Sequence, residues 1–296
     1  MEEKELADIE IQAVFGRVNQ PTNLKEVHKM NEEYTILKDN VTIPLLAHIP
    51  HSATYIPPDL RSSFLLNDVE LQQELLLMTD RYVDDLFVGV HEAGGITVIY
   101  NTSRLVLDPE RFEDDKEEEM FRKGMGVIYT KTSNLGDLRN PPSENERERL
   151  LNRFYKPYHN AIERGVQDIL NKFGRCTILD CHSFPSSPLP YENDQDFDRP
   201  DICIGTDKFH TPDNLTKIIQ DFCNKRHLKV SLNKPFAGTY VPSKFYKKNK
   251  YVSSVMIEIK RGRYMNEKTG KKAESFIKIK QEIYELIKLI INDIYL

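Results

Sequence analysis

Two short apolar runs constrain this chain more than any other feature, because each one leads directly to a histidine. The first is Val41-Thr42-Ile43-Pro44-Leu45-Leu46-Ala47-His48-Ile49-Pro50-His51-Ser52. The second is Cys176-Thr177-Ile178-Leu179-Asp180-Cys181-His182-Ser183. Continuous apolar runs of this length read as strands covered on both faces, the situation of strands in an α/β sheet. Ligands of such sheets bind outside the carboxyl ends of the strands. His51 and His182 stand at those ends. Two neutral imidazoles with carboxylates nearby suit a Zn²⁺ ion that keeps one position open for water, the arrangement of metal-dependent hydrolysis.

The rest of the chain supplies the alternation that such a sheet needs. Residues 67–78 place Leu71, Leu75 and Leu76 at helical spacing. Residues 80–93 are expected as a second helix, with Val83, Leu86, Phe87 and Val90 on one face and Gly94-Gly95 as its stop. Residues 96–100 are β-branched and apolar, hence a strand parallel to the first. Residues 109–145 are long, acidic and irregular, which in a compact domain marks a functional or mobile segment. A cap at Ser143 opens a helix expected to reach Phe173, and Gly174 ends it. Further strands are expected at residues 202–206, 228–232 and 251–259. A helix is expected at 211–226, and an amphipathic closing helix at 274–295. Residues 1–40 read as a polar N-terminal extension, with a short helix over 3–15 and a break at Pro21-Thr22-Asn23. Residues 41–296 then form one α/β domain with helices on both sheet faces.

Charge narrows the function classes. A formal net charge of -5 lacks the basic footprint of a nucleic-acid binder, and the run Lys244-Phe245-Tyr246-Lys247-Lys248-Asn249-Lys250 reads as a solvated loop. No apolar run is long enough to span a bilayer, and the acidic start Met1-Glu2-Glu3-Lys4-Glu5 is not a secretory signal. The four cysteines form no C-x-x-C pair and are expected reduced, in a cytoplasmic setting. The expected partner is a small molecule, with neither nucleic acid nor membrane.

A third, anionic ligand would hold a divalent cation more firmly. Asp80 and Asp84 are the candidates, four residues apart on one helix face. Asp80 also reads as a helix N-cap, and Asp84 as a carboxylate that orients a ligand histidine. Glu258 lies inside Val255-Met256-Ile257-Glu258-Ile259, where a carboxylate is costly unless paired or beside a metal. Its pKa is then open to adjustment toward a general base. A salt bridge to Lys260 or Arg261 is the plainer reading. Arg104 and Arg111 are placed to clamp a substrate carboxylate, with Asp108 fixing one of them, and Arg261 and Arg263 follow Glu258 at the same sheet edge. Solvation at the surface is the plainer reading of each arginine. His48, His91, His210 and His227 have no comparable placement, while His159 is placed to face the crevice. Cys181 is a poor nucleophile inside a buried strand.

Taken in order and spacing, six segments resemble the N-formylglutamate amidohydrolase family over about residues 43–290. They are Pro50-His51-Ser52, Asp80-Arg81-Tyr82-Val83-Asp84, Ser103-Arg104-Leu105-Val106-Leu107-Asp108-Pro109-Glu110-Arg111, Tyr155-Lys156-Pro157-Tyr158-His159, Asp180-Cys181-His182-Ser183 and Glu258-Ile259-Lys260-Arg261-Gly262-Arg263-Tyr264. The resemblance implies a three-layer phosphorylase/hydrolase-like α/β fold with a mostly parallel mixed sheet, related to zinc carboxypeptidases and aminoacylases. It implies cleavage of the amide of an N-acyl acidic amino acid, typically N-formylglutamate. By resemblance His51, Asp80 and His182 hold the metal, Zn²⁺ or alternatively Mn, Co or Fe. Glu258 is the base, and Arg104, Arg111, Arg261 and Tyr264 meet the substrate. Ala53 stands where the family usually has Gly. Pro109-Glu110 fills the middle of a segment that usually reads Asp-x-Asn-Arg. The acidic stretch 113–119 falls outside the pattern. A zinc carboxypeptidase or deacylase with another substrate, and a non-catalytic metal-binding homologue, are the alternatives.

Overall fold

The computed structural model describes residues 29–30 and 33–295. The helix expected over 3–15 and the break at 21–23 lie outside the described residues. Strands β1 (Lys29–Met30), β2 (Tyr34–Leu37), β3 (Leu45–Ile49), β4 (Ile96–Tyr100), β5 (Cys176–Phe184), β6 (Ile202–Gly205), β7 (Val230–Leu232) and β8 (Val252–Lys260) form one sheet in the order β1-β2-β4-β3-β5-β8-β6-β7. The central pairs β4–β3, β3–β5 and β5–β8 are parallel, as is β6–β7. The pairs β1–β2, β2–β4 and β6–β8 are antiparallel. The sheet therefore starts earlier than the sequence suggested. Tyr34–Leu37 had looked like part of a polar extension, because four residues are too few to show a period. They add an antiparallel strand beside β4.

Side chains alternate across a strand, so the two faces can be read separately. On one face Leu46, Ile96, Val98 and Ile178 pack with Ala161, Ile162, Val166 and Ile169 of the long helix α5 (Lys156–Phe173). On the other, Leu45, Ala47, Leu179, Val255 and Ile257 pack under α6 (Asp213–Lys225) and α7 (Phe276–Tyr295), whose Ile283, Leu286 and Ile290 face inward. The result is the α/β three-layer, mixed-sheet architecture expected.

Local boundaries follow local chemistry. Helix α1 (Asp68–Met78) opens on Asn67, which accepts from the N–H groups of Val69 and Glu70, while the Glu70 carboxylate accepts the N–H of Asn67. The single helix expected over 80–93 is instead two short ones, α2 (Val83–Leu86) and α3 (Gly89–Glu92). Asp80 explains the break. Its backbone N–H donates to the carbonyl of His51, and its carboxylate accepts from the backbone N–H of Ser183 and from Arg261. It is tied to the segments at the carboxyl ends of β3, β5 and β8 and does not cap a helix. Tyr82 then turns the chain with φ 67 before α2 begins. The helix expected from Ser143 to Phe173 is continuous but not uniform. It comprises α4 (Glu144–Leu150), a π-helical turn over Leu151–Tyr155, and α5. Pro157 lacks the N–H that would bond back to residue 153, and the wider turn sits just before it. Gly174, at φ 72, ends α5 as expected. Among the described residues no helix is long and apolar enough to cross a membrane, and all four cysteines are free and buried.

Candidate active site

The carboxyl ends of the parallel strands β3, β5 and β8 converge on one cavity of about 610 Å³. His51 enters from just beyond β3, Asp80 from the turn before α2, His182 from β5 and Glu258 from β8. The β5–β8 register sets His182 directly against Glu258. His51, Asp80 and His182 each offer one ligand-type atom, all within 4.8 Å of one another. The His182 Nδ1–Asp80 Oδ2 distance is 3.3 Å and the His51 Nδ1–Asp80 Oδ2 distance is 3.9 Å. Ligands tetrahedrally arranged about 2.0 Å from a zinc ion stand about 3.3 Å apart. The three residues proposed from sequence thus meet at a spacing that fits one cation.

The surrounding hydrogen bonds show which atoms are left over. His51 Nε2 lies 2.8 Å from Asp108 Oδ1. Burial alone would raise the Asp108 carboxyl, but Arg104 and His51 beside it hold it well below the usual range, so it accepts and His51 Nε2–H donates. Burial, then Arg104, lowers the pKa of His51 and keeps it neutral. Its other nitrogen, Nδ1, is buried without a hydrogen-bond partner and faces Asp80 and, at 3.4 Å, Glu110 Oε2. An unprotonated nitrogen aimed at carboxylate oxygens is an arrangement that a divalent cation satisfies. His182 is oriented in the same way, although its Nδ1 lies within hydrogen-bond distance of Asp80. Its Nε2 lies 2.9 Å from Asp180 Oδ1 and 3.1 Å from Glu110 Oε1, which leaves Nδ1 toward Asp80. Burial would lower its pKa, but Glu110 and Asp180 raise it well above the ordinary histidine value. Carboxylates that favour a proton there favour a metal cation for the same reason. On Asp80, burial is outweighed by His182 and Arg261, and the carboxyl stays ionised.

Several expected roles change place. Asp84 is exposed and lines no part of this cavity, so Asp108, not Asp84, is the carboxylate behind His51. Arg261 lines the cavity but is engaged by Asp80 Oδ1 at 2.8 Å, by Ser183 and by the Leu77 carbonyl. It steadies Asp80 and has little left for a substrate. Tyr264 is fully buried in the core, packed near Phe276, and does not line the cavity. Arg104 is bound to Asp108 Oδ2 at 2.7 Å and to the Tyr129 hydroxyl at 3.1 Å. Arg111 stands 3.6 Å from both Asp108 and Glu118, and its Nε is buried with no hydrogen-bond partner. Burial pushes the Glu258 carboxyl up to about 8, and its Oε2 has no partner.

His48, Asp180 and Glu110, to which the sequence pattern assigns no role, meet behind His182. His48 Nδ1 lies 2.9 Å from Asp180 Oδ1 and 3.6 Å from Glu110 Oε1. Asp180 also accepts the backbone N–H of Tyr240. The parity of β5 carried a signal, since Asp180 and His182 share one face of a strand that is otherwise apolar. His159 borders a second, adjoining cavity, where it contacts Tyr240 and the Pro109 carbonyl, and burial lowers its pKa to about 4.

An open mixed sheet whose carboxyl edge gathers imidazoles, carboxylates and arginines in one cavity has the layout of an enzyme built on an α/β sheet. Comparison with known proteins narrows this. A model of the N-formylglutamate amidohydrolase family matches residues 43–265, and the chain belongs to that family; by that membership it is an amide-bond hydrolase. It is similar to the N-formylglutamate deformylase of Pseudomonas putida, 26% identical over 234 residues, covering 76% of this chain and 83% of the relative. The N-formylglutamate deformylase of Pseudomonas aeruginosa is 27% identical over 235 residues, with the same coverage. Among solved structures, an N-formylglutamate amidohydrolase from Ralstonia eutropha superposes with a TM-score of 0.76 at 23% identity, covering 90% of this chain and 99% of that one. A protein of Agrobacterium tumefaciens gives 0.66 at 18%, covering 90% and 97%. Both structures share the fold.

Proposed function

We propose that the protein hydrolyses the amide of an N-acyl amino acid, with N-formyl substrates first, at a divalent cation held by His51, Asp80 and His182. The observation that carries this is the orphaned Nδ1 of His51, which faces Asp80 and His182 in the same cavity as the unpartnered carboxyl of Glu258. When bound, the cation, with Zn²⁺ favoured by the His₂-carboxylate donor set, supplies Lewis-acid polarisation of the scissile carbonyl and makes water a better nucleophile at neutral pH.

The chain's own residues do the rest. Asp108 and Asp180 fix the histidine rings and their tautomers through Nε2. Glu258 takes a proton from the attacking water and passes it to the leaving amine nitrogen. Arg111, whose guanidinium lines the cavity, holds the α-carboxylate of the substrate, and Arg104 supports it from behind Asp108. The relatives' names make N-formylglutamate the first compound to assay. Two measurements test the reading together: elemental analysis of the purified protein, and turnover by Glu258→Gln. The variant should keep its metal and lose about 10²–10⁴-fold in kcat. Unimpaired turnover by Glu258→Gln would remove the assigned base, and metal-free protein with full activity would remove the mechanism.

A further inference from the structure

The segment Asp108–Arg111 lends Asp108, Glu110 and Arg111 to the active-site cavity, yet it lies in neither strand nor helix. Asp108 is fixed by its own carboxylate, through His51 and Arg104. Arg111 is not fixed in that way. Its guanidinium stands 3.6 Å from both Asp108 and Glu118. Ion pairs that long impose little direction, so the aim of the guanidinium depends on how its backbone is held. Two side chains of one helix face hold it. The Tyr155 hydroxyl donates to the Arg111 carbonyl at 3.1 Å, and His159 Nε2 donates to the Pro109 carbonyl at 2.8 Å. Neither carbonyl accepts a backbone N–H. Tyr155 and His159 stand one turn apart with ring centroids 3.9 Å from each other, stacked, so each steadies the other. Tyr155 ends the π-helical turn, a local widening that recurs at functional sites.

We infer that Tyr155 and His159 are positioning residues: by holding the Pro109 and Arg111 carbonyls they set the aim of Arg111 at the substrate's α-carboxylate. This rests on the amide-hydrolase reading above and deepens its account of substrate binding. Both residues line the adjoining cavity and not the one that holds His51, Asp80 and His182, so they act through Arg111 and touch no reacting atom. Burial keeps His159 neutral at neutral pH, with one donor and one acceptor. Nε2–H goes to Pro109, so Nδ1 accepts the Tyr240 hydroxyl at 2.9 Å. Tyr240 is the anchored end of this clamp. Its backbone N–H donates to Asp180 at 2.7 Å, and its carbonyl accepts the Ser254 hydroxyl at 2.8 Å. Those bonds do not pass through His159, so loss of the imidazole frees the Arg111 segment and leaves Asp180 and the metal ligands supported.

The test is steady-state kinetics of the metal-loaded protein on N-formyl-L-glutamate and on its α-carboxamide, which offers Arg111 no charge. Tyr155→Phe keeps the ring and loses the hydroxyl. His159→Leu loses donor and acceptor, while His159→Gln keeps one of each. Tyr155→Phe and His159→Leu should each raise KM for N-formyl-L-glutamate by about fivefold, the worth of one hydrogen bond, with kcat within about twofold of the wild type. His159→Gln should recover part of that loss. On the α-carboxamide each variant should stay within about twofold of the wild type in kcat/KM; if that compound turns over too slowly, its Ki against N-formyl-L-glutamate gives the same comparison. Metal affinity, from competition with a chelator, should also stay within about twofold. An unchanged KM, an equal loss on acid and amide, or a fall in metal affinity overturns the inference and leaves the hydrolase reading standing. If His159→Leu does not fold, Tyr155→Phe decides alone. No turnover of N-formyl-L-glutamate or any other N-acyl amino acid by the wild type overturns the hydrolase reading itself.

Discussion

Replacing Asp108 with Asn is the most informative single change, because one carboxylate serves four partners at once. Oδ1 accepts from His51 Nε2 at 2.8 Å and from the backbone N–H of Glu110 at 3.0 Å. Oδ2 accepts from Arg104 at 2.7 Å and from the Tyr129 hydroxyl. An amide keeps one acceptor and turns the other into a donor. If its NH₂ faces His51, Nε2 must become the acceptor and the ring proton moves to Nδ1, the atom assigned to the metal. If it faces Arg104, donor meets donor; in either orientation the guanidinium loses its counter-charge, and removing one partner of a buried pair costs about 3–5 kcal/mol in comparable sites. In either case the carboxylate that makes His51 a strong ligand is gone. Loss of such an outer partner lowers metal affinity by about 10–100-fold, equivalent to about 1.4–2.8 kcal/mol. A competition titration against a chromophoric chelator measures the affinity. Thermal melts of the metal-free forms separate it from general destabilisation. Metal affinity within about twofold of the wild type, in a variant that still melts cooperatively, would refute the assignment of Nδ1 as the ligand atom and of Asp108 as its support.

Chelation should abolish turnover, and Zn²⁺, Mn²⁺, Co²⁺ or Fe²⁺ added back should restore it. At metal concentrations about 100 times Kd the bound form should gain about 2.7 kcal/mol over the metal-free one, read as a rise in Tm. Cys181 is fully buried, and burial pushes its thiol well above the ordinary range. Cys181→Ala should therefore keep its activity and iodoacetamide should not inhibit the native protein; rapid inactivation would reopen a thiol mechanism. Burial raises the pKa of Glu74, although its carboxylate accepts from the N–H and hydroxyl of Ser133. A carboxyl whose folded pKa is raised contributes stability fully present below its unfolded value and lost as pH rises through its folded one. Glu74→Gln should flatten this loss, so that Tm falls less between pH 4 and pH 7 than in the wild type; parallel Tm–pH curves would show that Glu74 is not its source.

Some of this site was legible in the sequence and some was not, for a physical reason. His51, His182 and Glu258 could be found because each is a polar residue at or near the end of an apolar run, where burial without a purpose is costly. Asp108 could be seen as a partner for an arginine. That it also holds His51 could not, because the two are 57 positions apart and only the packing of the loop after β4 against the end of β3 brings them together. Asp80 looked like a helix cap because Asp before a helix usually is one. Its actual ties, to His51, Ser183 and Arg261, all come from segments distant in sequence at the carboxyl ends of β3, β5 and β8. Tyr264 was misplaced for a simpler reason. A short 3₁₀ turn over Arg261–Arg263 rotates the chain after β8, so a residue that follows the edge in sequence points into the core.

His48 shows how much of the site strand parity encodes. Leu46 and His48 share one face of β3, Ile178, Asp180 and His182 share one face of β5, and Glu258 joins them from β8. The register sets His48 beside Asp180 and His182 beside Glu258. Toward the carboxyl edge this face changes from apolar to polar, while the opposite face carries Ala47, Ile49, Leu179, Cys181, Ile257 and Ile259 through the same levels. One face of three parallel strands therefore holds core at its amino end and ionisable groups at its carboxyl end. The other face stays apolar and anchors the strands to α6 and α7. A sheet anchored in this way on one side can keep buried carboxylates and imidazoles in fixed register on the other. That is why β5, buried on both faces over its whole length, carries two of the site's ionisable residues.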